Sequence, residues 1–276
     1  MGLTKRNIIS QKASIRYIIF IYFTLTALTA SVFIGVSLYS RLASQMESAI
    51  QEENQILVNQ ISRYMDSYLR TVMKLSDSLY YGAIKNADLS DHSIASDITL
   101  LYDNNKDNIE NIALLSKSGQ MLEAVPAARL KSGIDLTEEN WFQYALEKTE
   151  NLHFSTPHIQ TVFDLGESQY RWVISLSRAV EITQGPYTDQ GVLLIDIRYN
   201  SLEQLFDGVS LGNGGYVYLI SSDGEIIYHP RAQLIDSGIA QENNNRVSSL
   251  RDGNYEEVFN GKKRMLTVKT VGYTGW

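Results

Sequence analysis

The hydrophobic pattern changes twice along the chain and divides it into three parts. The first part ends with an uncharged, mostly apolar run of 23 residues, Tyr17–Tyr39. The second is an amphipathic stretch without Gly or Pro, from Arg41 to Tyr81. In the third, short runs rich in β-branched and aromatic residues alternate with turn residues. These patterns predict an apolar helix, a long amphipathic helix and a region of antiparallel sheets.

The run Tyr17–Tyr39 predicts a transmembrane helix. At about 1.5 Å per residue it reaches roughly 35 Å, enough to cross a hydrocarbon core of about 30 Å. Basic residues precede it and no acidic residue does, so residues 1–16 are expected in the cytoplasm and residues 41–276 outside the membrane. A cleaved signal sequence is the alternative, although the apolar stretch exceeds the usual core of about 7–15 residues.

The stretch 41–81 predicts one long helix, because apolar residues recur mostly every three, four or seven positions. A coiled-coil stalk would show a narrow apolar seam throughout. Here the stripe broadens after Ile61, which favours packing of this part of the helix on a sheet.

Two segments far apart in the chain predict the same β-hairpin. Residues 112–122 contain two short apolar runs around a Lys-Ser-Gly turn, and residues 217–227 contain two around a Ser-Asp-Gly turn. Aligning Gly119 with Gly224 matches the apolar positions at an offset of 105 residues. The match indicates a tandem repeat of one sheet domain; chance similarity of two generic hairpins is the alternative.

The remaining patterns predict an α+β architecture with antiparallel sheets. We expect a helix over Glu138–Lys148 with Thr137 as its N-cap. The turn stretch Thr183–Gln190 should separate two strands. The predicted strands lie around His153–Gln160, Tyr170–Val180, Val192–Ile197 and Met265–Val271.

Composition narrows the function. Beyond the four basic residues that precede Tyr17, the chain carries 20 basic and 31 acidic residues, a net charge of −11. This balance argues against nucleic-acid binding. The chain has no cysteine, and its four histidines show no common zinc spacing, so no metal site or cofactor is expected.

Several stretches in a fixed order resemble the extracytoplasmic double-Cache (dCache) sensor of bacterial receptors, most closely the YesM-type sensor histidine kinases. They are Trp141-Phe142, 156–160, 172–178, 191–197, 215–220 and 224–230. The resemblance covers about residues 41–276. It implies two stacked PAS-like modules, a membrane-distal one over 82–205 and a membrane-proximal one over 206–276 that is incomplete at its C-terminal end.

The resemblance also implies a small-molecule site in the distal module, between its sheet and the small helix. An amino-acid-sensing branch of the family has an Arg two positions before the Trp, where this chain has Glu139, so the resemblance does not extend to α-amino-acid recognition. The same branch has Tyr and Asp where this chain has His158 and Gln160. Asp196 matches the family acid that receives a ligand amine.

Each candidate site residue also has a purely structural interpretation. Aromatic residues of a sheet domain can be core residues rather than pocket walls, and His158 with Gln160 can be a surface pair on a strand. Asp196, at the end of an apolar run, can cap a turn. The candidate ligand-binding residues are Glu139, Trp141, Phe142, His158, Gln160, Tyr170, Trp172 and Asp196.

The sequence and the resemblance therefore predict the membrane-anchored, extracytoplasmic sensor domain of a signal-transduction receptor, a two-component sensor histidine kinase, with no catalytic region in this chain. We expect a parallel homodimer with a contact along Leu42–Leu57. Alternative functions are a chemoreceptor or cyclic-dinucleotide-enzyme sensor, an envelope hydrolase, or a scaffold protein. The chain ends at Trp276, where the family continues toward a second membrane helix, so we expect a fragment that lacks its output region.

Overall fold

A computed structural model describes residues 15–276 except 86, 90–92, 128, 148–151, 165–169, 210 and 212–213. The chain forms two compact units, residues 1–53 and 54–276. In the first unit, the described residues 15–53 belong to helix α1, Ile15–Asp77. Within the described residues, α1 contains the one segment long and apolar enough to cross a membrane.

The second unit combines short helices with antiparallel strands, which confirms the predicted α+β class. A π-helical segment, Ser78–Ile84, follows α1 directly. The later helices are α2 Ser93–Asp103, α3 Asn140–Glu147, α4 Tyr199–Glu203, α5 Ala232–Asp236 and α6 Asn244–Val247. The strands are β1 Ile109–Ser116, β2 Met121–Val125, β3 Arg129–Leu130, β4 His153–Phe154, β5 His158–Ile159, β6 Phe163–Asp164, β7 Trp172–Gln184, β8 Tyr187–Arg198, β9 Leu219–Ile220, β10 Ile226–Tyr228, β11 Gly253–Phe259 and β12 Lys262–Val268.

A six-stranded antiparallel sheet forms the centre of the second unit. Its strand order is β2-β1-β8-β7-β4, and β5 also pairs with β7. The apolar run in β8 is buried on both faces, as a central strand requires. Because side chains alternate, Leu193 and Ile195 pack toward α1 and α2, whereas Val192 and Leu194 pack toward α3.

The broad apolar stripe of α1 packs against the sheet unit, as predicted. Its buried side chains begin at Ile61 and include Met65, Leu69 and Val72. Met65 and Leu69 contact a cluster formed with residues of the C-terminal part, and Val72 contacts the sheet cluster. The coiled-coil alternative therefore does not hold for this part of the helix.

The two predicted hairpins share one hydrogen-bonding pattern. The amide of Ser116 donates to the Gln120 carbonyl at 2.8 Å, and that of Ser221 donates to the Glu225 carbonyl at 2.8 Å. In each turn the glycine that aligned in the sequence, Gly119 or Gly224, has a positive φ. The hairpins are thus the same structure at an offset of 105 residues. The boundaries of two modules, 82–205 and 206–276, stay a prediction.

Two predicted turn and cap positions were wrong. The stretch Thr183–Gln190 is not a long turn, because β7 and β8 continue as a paired hairpin up to Gln184 and Tyr187. Thr137 is not an N-cap. Instead, Asp135 accepts hydrogen bonds from the amide and hydroxyl of Thr137 at 2.9 and 2.6 Å and begins a 3₁₀ turn.

The C-terminal strands also differ from expectation. The predicted strand Met265–Val271 lies three residues earlier, at Lys262–Val268, because it pairs in register with β11. Strand β11 was not predicted, since its exposed positions carry Asn and Glu. Helix α2 was likewise missed.

Candidate ligand-binding site

A cavity of about 1090 Å³ lies at one edge of the six-stranded sheet. Residues of α3, β4 and β5 form one side of it, together with Trp172 at the start of β7. The other side comes from the turn of the second hairpin, Ser221–Glu225, and from Tyr273, Thr274 and Trp276. Residues between 139 and 172 and residues between 221 and 276 thus line opposite sides of the same cavity.

A chain of polar side chains connects this wall to a buried carboxylate. Nε2 of His158, which lines the cavity, lies 3.3 Å from Oγ of Ser175. Ser175 donates to Oδ1 of Asp196 at 2.5 Å, and Asn111 donates to Oδ2 at 2.8 Å. The three strand residues are direct cross-strand neighbours in β1, β8 and β7. The register of the sheet therefore assembles the network on the face that α3 covers.

The ring of His158 is held from both sides. Nδ1 lies 3.0 Å from the carbonyl oxygen of Thr156 and 3.3 Å from Oγ of Ser155, while Nε2 faces Ser175. Ser175 donates its one hydroxyl proton to Asp196, so the serine connects the imidazole to the buried carboxyl group.

Asp196 is 2% exposed, and its burial is the main influence on its charge. Burial raises the pKa of this carboxyl, while the hydrogen bonds from Ser175 and Asn111 and the nearby His158 oppose the rise. Gln160 also favours the ionised form, although its Nε2 makes no hydrogen bond of normal geometry.

The network is not a hydrolytic triad. In such a triad the histidine lies between the serine and the acid and takes the serine proton. Here Ser175 lies in the middle, directs its proton to Asp196, and is buried. These residues are therefore suited to hold charge at the base of a pocket rather than to attack a substrate.

Aromatic side chains surround the cavity. All three tryptophans of the sequence line it. The ring of Phe154 lies edge-on to Tyr273 at 6.0 Å and to Trp276 at 6.3 Å, and Tyr144 lies 4.7 Å from His153. Such walls can bury the apolar surface of a small molecule.

The structure brings four of the eight predicted site residues to the cavity wall and places four elsewhere. Glu139, Trp141, His158 and Trp172 line the cavity. Phe142 packs in the core beneath α3, and Gln160 and Asp196 lie buried behind the wall. Tyr170 is 83% exposed and does not reach the cavity, because it precedes the first paired residue of β7.

Sequence reasoning missed several residues of the site. Ser175 and Asn111 complete the bonding of Asp196, and Asp223, Glu225 and Trp276 form the far wall. Ser175 carried a usable signal, since it is a polar residue inside the apolar run of a central strand. The far wall carried none, because it depends on how the second hairpin and the C-terminal segment pack near α3 and β4.

Another buried polar cluster lies in the C-terminal part and does not line the cavity. Arg264 pairs with Glu257 at 2.5 Å and with Glu242 at 2.8 Å, while Tyr216 donates to Glu242. Burial lowers the pKa of the neighbouring His229, which Glu242 opposes. The Arg264–Glu257 pair connects strands β12 and β11. Within the described part of the chain, no three His, Asp or Glu side chains group closely enough to hold a metal ion.

Curated proteins similar to the chain include bacterial chemoreceptors. The chain is 21% identical over 272 residues to the methyl-accepting chemotaxis protein TlpA of Bacillus subtilis, which covers 99% of the chain and 38% of TlpA. It is 22% identical over 238 residues to TlpB of the same organism, covering 85% of the chain and 32% of TlpB. The chain thus spans less than two fifths of these relatives.

Solved structures with the same fold include ligand-binding domains of chemoreceptors. That of the Pseudomonas fluorescens chemoreceptor CtaA, in complex with L-isoleucine, has a TM-score of 0.61 at 18% identity and covers 83% of this chain and 88% of that one. That of the Pseudomonas aeruginosa amino-acid chemoreceptor PctC, in complex with GABA, has a TM-score of 0.58 at 18% identity, with 77% and 89% covered. At these identities the likeness shows the fold alone.

These comparisons correct one expectation and confirm another. The relatives are chemotaxis proteins, so a closer kinship with the YesM-type histidine kinases is not supported. The resemblance to Cache sensors is confirmed, because the model of the Cache domain matches residues 42–276. The chain therefore belongs to the Cache domain family.

Proposed function

We propose that the chain is the sensor part of a bacterial chemoreceptor and that it binds a small molecule in the cavity beside α3. Chemotaxis proteins among the relatives favour this function over a histidine-kinase sensor. The apolar helix anchors the chain, with residues 1–16 in the cytoplasm and 41–276 outside, as the distribution of basic residues favours.

The cavity with its polar base is the observation that carries this proposal. A volume of about 1090 Å³ accommodates a small organic molecule. Aromatic rings cover its apolar surface, and His158, held by Ser175 and the Asp196 carboxylate behind it, offers a fixed polar contact. A small number of oriented polar groups in an aromatic wall is the usual composition of a ligand pocket.

Strand β7 provides a route from the cavity to α1. Ser177 donates to the carbonyl of Trp141 in α3 at 2.8 Å, and the next residue, Arg178, points to the opposite face. There its guanidinium pairs with Asp77, the last residue of α1, at 2.7 Å. A ligand that favours one position of α3 would bias α1 through this strand, provided that it binds the two states with different affinity. We also propose that two copies of the chain form a parallel dimer with a contact along Leu42–Leu57.

The test is a thermal-shift screen of the full chain in detergent against amines, amino acids, sugars and organic acids. A compound at about 100 times its Kd stabilises the folded state by roughly 2.7 kcal/mol, which raises Tm by about 5–10 °C for a domain of this size. Trp172→Ala should abolish the shift. Tyr187→Ala, an exposed aromatic of β8 that does not line the cavity, should preserve it.

Two results would contradict the proposal. In one, no compound of the panel changes Tm. In the other, a compound stabilises the protein equally with and without Trp172, which would place its site elsewhere.

A further inference from the structure

The charges on the cavity wall are of one sign. Glu139 on the α3 side and Asp223 and Glu225 on the opposite side line the cavity, and no Lys or Arg does so among the residues that the structure describes. A cleft lined by charges of one sign raises the local concentration of ions of the opposite sign. The wall therefore attracts cations and repels carboxylates.

The histidines of the wall do not change this balance. Burial lowers the pKa of His153, so this ring is neutral near pH 7. His158 connects through Ser175 to the buried carboxyl group of Asp196.

The aromatic residues suit the same class of ligand. An ammonium group is attracted to the face of an indole ring, and Trp141, Trp172 and Trp276 all line the cavity. A bare metal ion fits less well, because no three carboxylate or imidazole groups of the described chain converge. A larger cation with an apolar surface can contact the carboxylates and the aromatic rings of the wall together.

We propose that the cavity binds an organic ammonium ion that carries no carboxylate, and that Asp223 and Glu225 of the second hairpin take part in binding it. This inference rests on the proposed sensing function. It places the ligand between residues 139–172 and the second hairpin, whereas the family resemblance implied a site within the distal module, residues 82–205, alone. Such a ligand would fix the distance between Trp172 and the turn of the second hairpin.

Two matched series of probes test the charge requirement by calorimetric titration of the full chain in detergent. The first is n-butylammonium, n-butanol and butyrate. The second is choline and its uncharged isostere, in which a tert-butyl group replaces the trimethylammonium group. In at least one series the cation should bind about tenfold more tightly than its neutral counterpart, and butyrate should bind most weakly. Added salt should weaken binding of the cation.

A pair of double variants tests the role of the second hairpin. Asp223→Asn with Glu225→Gln should raise the Kd of the cation at least about fivefold. Both side chains are exposed, and Asn can still accept the hydrogen bond that Ser221 donates to Asp223, so the fold should persist. The control is Glu181→Gln with Asp189→Asn, two carboxylates of the β7–β8 hairpin outside the cavity, which should leave the Kd unchanged.

Three results would overturn the inference. In the first, the cation and its neutral counterpart bind with equal affinity in both series. In the second, neither cation binds, and in the third, the Kd of the cation is unchanged in the Asp223→Asn, Glu225→Gln variant. If an anion or zwitterion from the screen binds in a Trp172-dependent way, the inference fails and the proposed function stands. If no compound of any class binds, both fail.

Discussion

Gly191 in the central strand β8 offers a sharp test of the packing described here. It lies opposite Ser116 of β1 and Val180 of β7. A Cβ atom at this position would lie 2.4 Å from the carbonyl oxygen of Leu115 and 1.9 Å from Cδ1 of Ile182. The isoleucine can rotate away, but the carbonyl belongs to the backbone of a paired strand and cannot move without disturbing the β1–β8 ladder.

The expected cost of Gly191→Ala follows from that geometry. Overpacking costs about 1–3 kcal/mol, and weakening a ladder hydrogen bond adds about 1 kcal/mol. A total of about 2–4 kcal/mol lowers Tm by roughly 4–16 °C for a domain of this size. The matched control is Gly82→Ala in the π-helical segment, where no atom lies within 4 Å of the added methyl group. This change should leave the free energy of unfolding the same or raise it by up to about 1 kcal/mol, so Tm should rise by no more than about 2–4 °C.

Thermal unfolding of the full chain in detergent, followed by circular dichroism, measures both variants. A Tm of Gly191→Ala within about 1 °C of the wild type would refute the packing of β1 against β8. An equal loss in both variants would point to a general intolerance of alanine rather than to the close approach at Gly191.

Three further variants test the charges and the core. The Arg178 side chain is 3% exposed and that of its partner Asp77 is 50% exposed. Chemical unfolding should show that Asp77→Asn, which leaves the buried guanidinium without its partner, lowers the free energy of unfolding by about 3 kcal/mol or more, and that Arg178→Met lowers it less. The reverse order would contradict a buried guanidinium that requires its partner. Burial raises the folded-state pKa of Asp196 above its unfolded value of about 3.9, so its contribution to stability is complete below that pH and is lost as pH rises through the folded pKa. The Tm of the wild type should thus fall relative to Asp196→Asn as pH rises above about 4, and a constant difference would contradict the assignment. Phe142→Ala should cost about 3–5 kcal/mol in the same assay, and a loss below about 1 kcal/mol would contradict its place in the core.

The sequence was most informative where a pattern repeats locally. The stripe of α1 from Ile61 onward predicted a packed helix, and the Gly119 and Gly224 turns predicted two equivalent hairpins. Both depend on residues a few positions apart, so spacing alone determines them. The ends of β7 and β8 were missed for the opposite reason. There, the exposed polar residues near Gln184 and Tyr187 adopt strand conformation because β7 and β8 pair with each other, not because their side chains are buried.

The site depends on contacts that local pattern does not encode. Asp196 was identified as a candidate, but its partners Ser175 and Asn111 are 21 and 85 residues away and meet it only through the strand register. Trp276 reaches the cavity through the packing of the C-terminal segment. Tyr170 was selected for its residue type alone, and nothing in its neighbourhood could show that it stays in solvent.

Tryptophan fluorescence of the full chain tests the central claim most directly, because all three tryptophans line the proposed site. Titration with a compound that raises Tm should give a saturable change in emission with the same Kd. The change should persist in Trp141→Phe, where Trp172 and Trp276 report from opposite sides of the cavity. A compound that stabilises the protein while the emission of all three tryptophans stays constant would show that the ligand binds elsewhere.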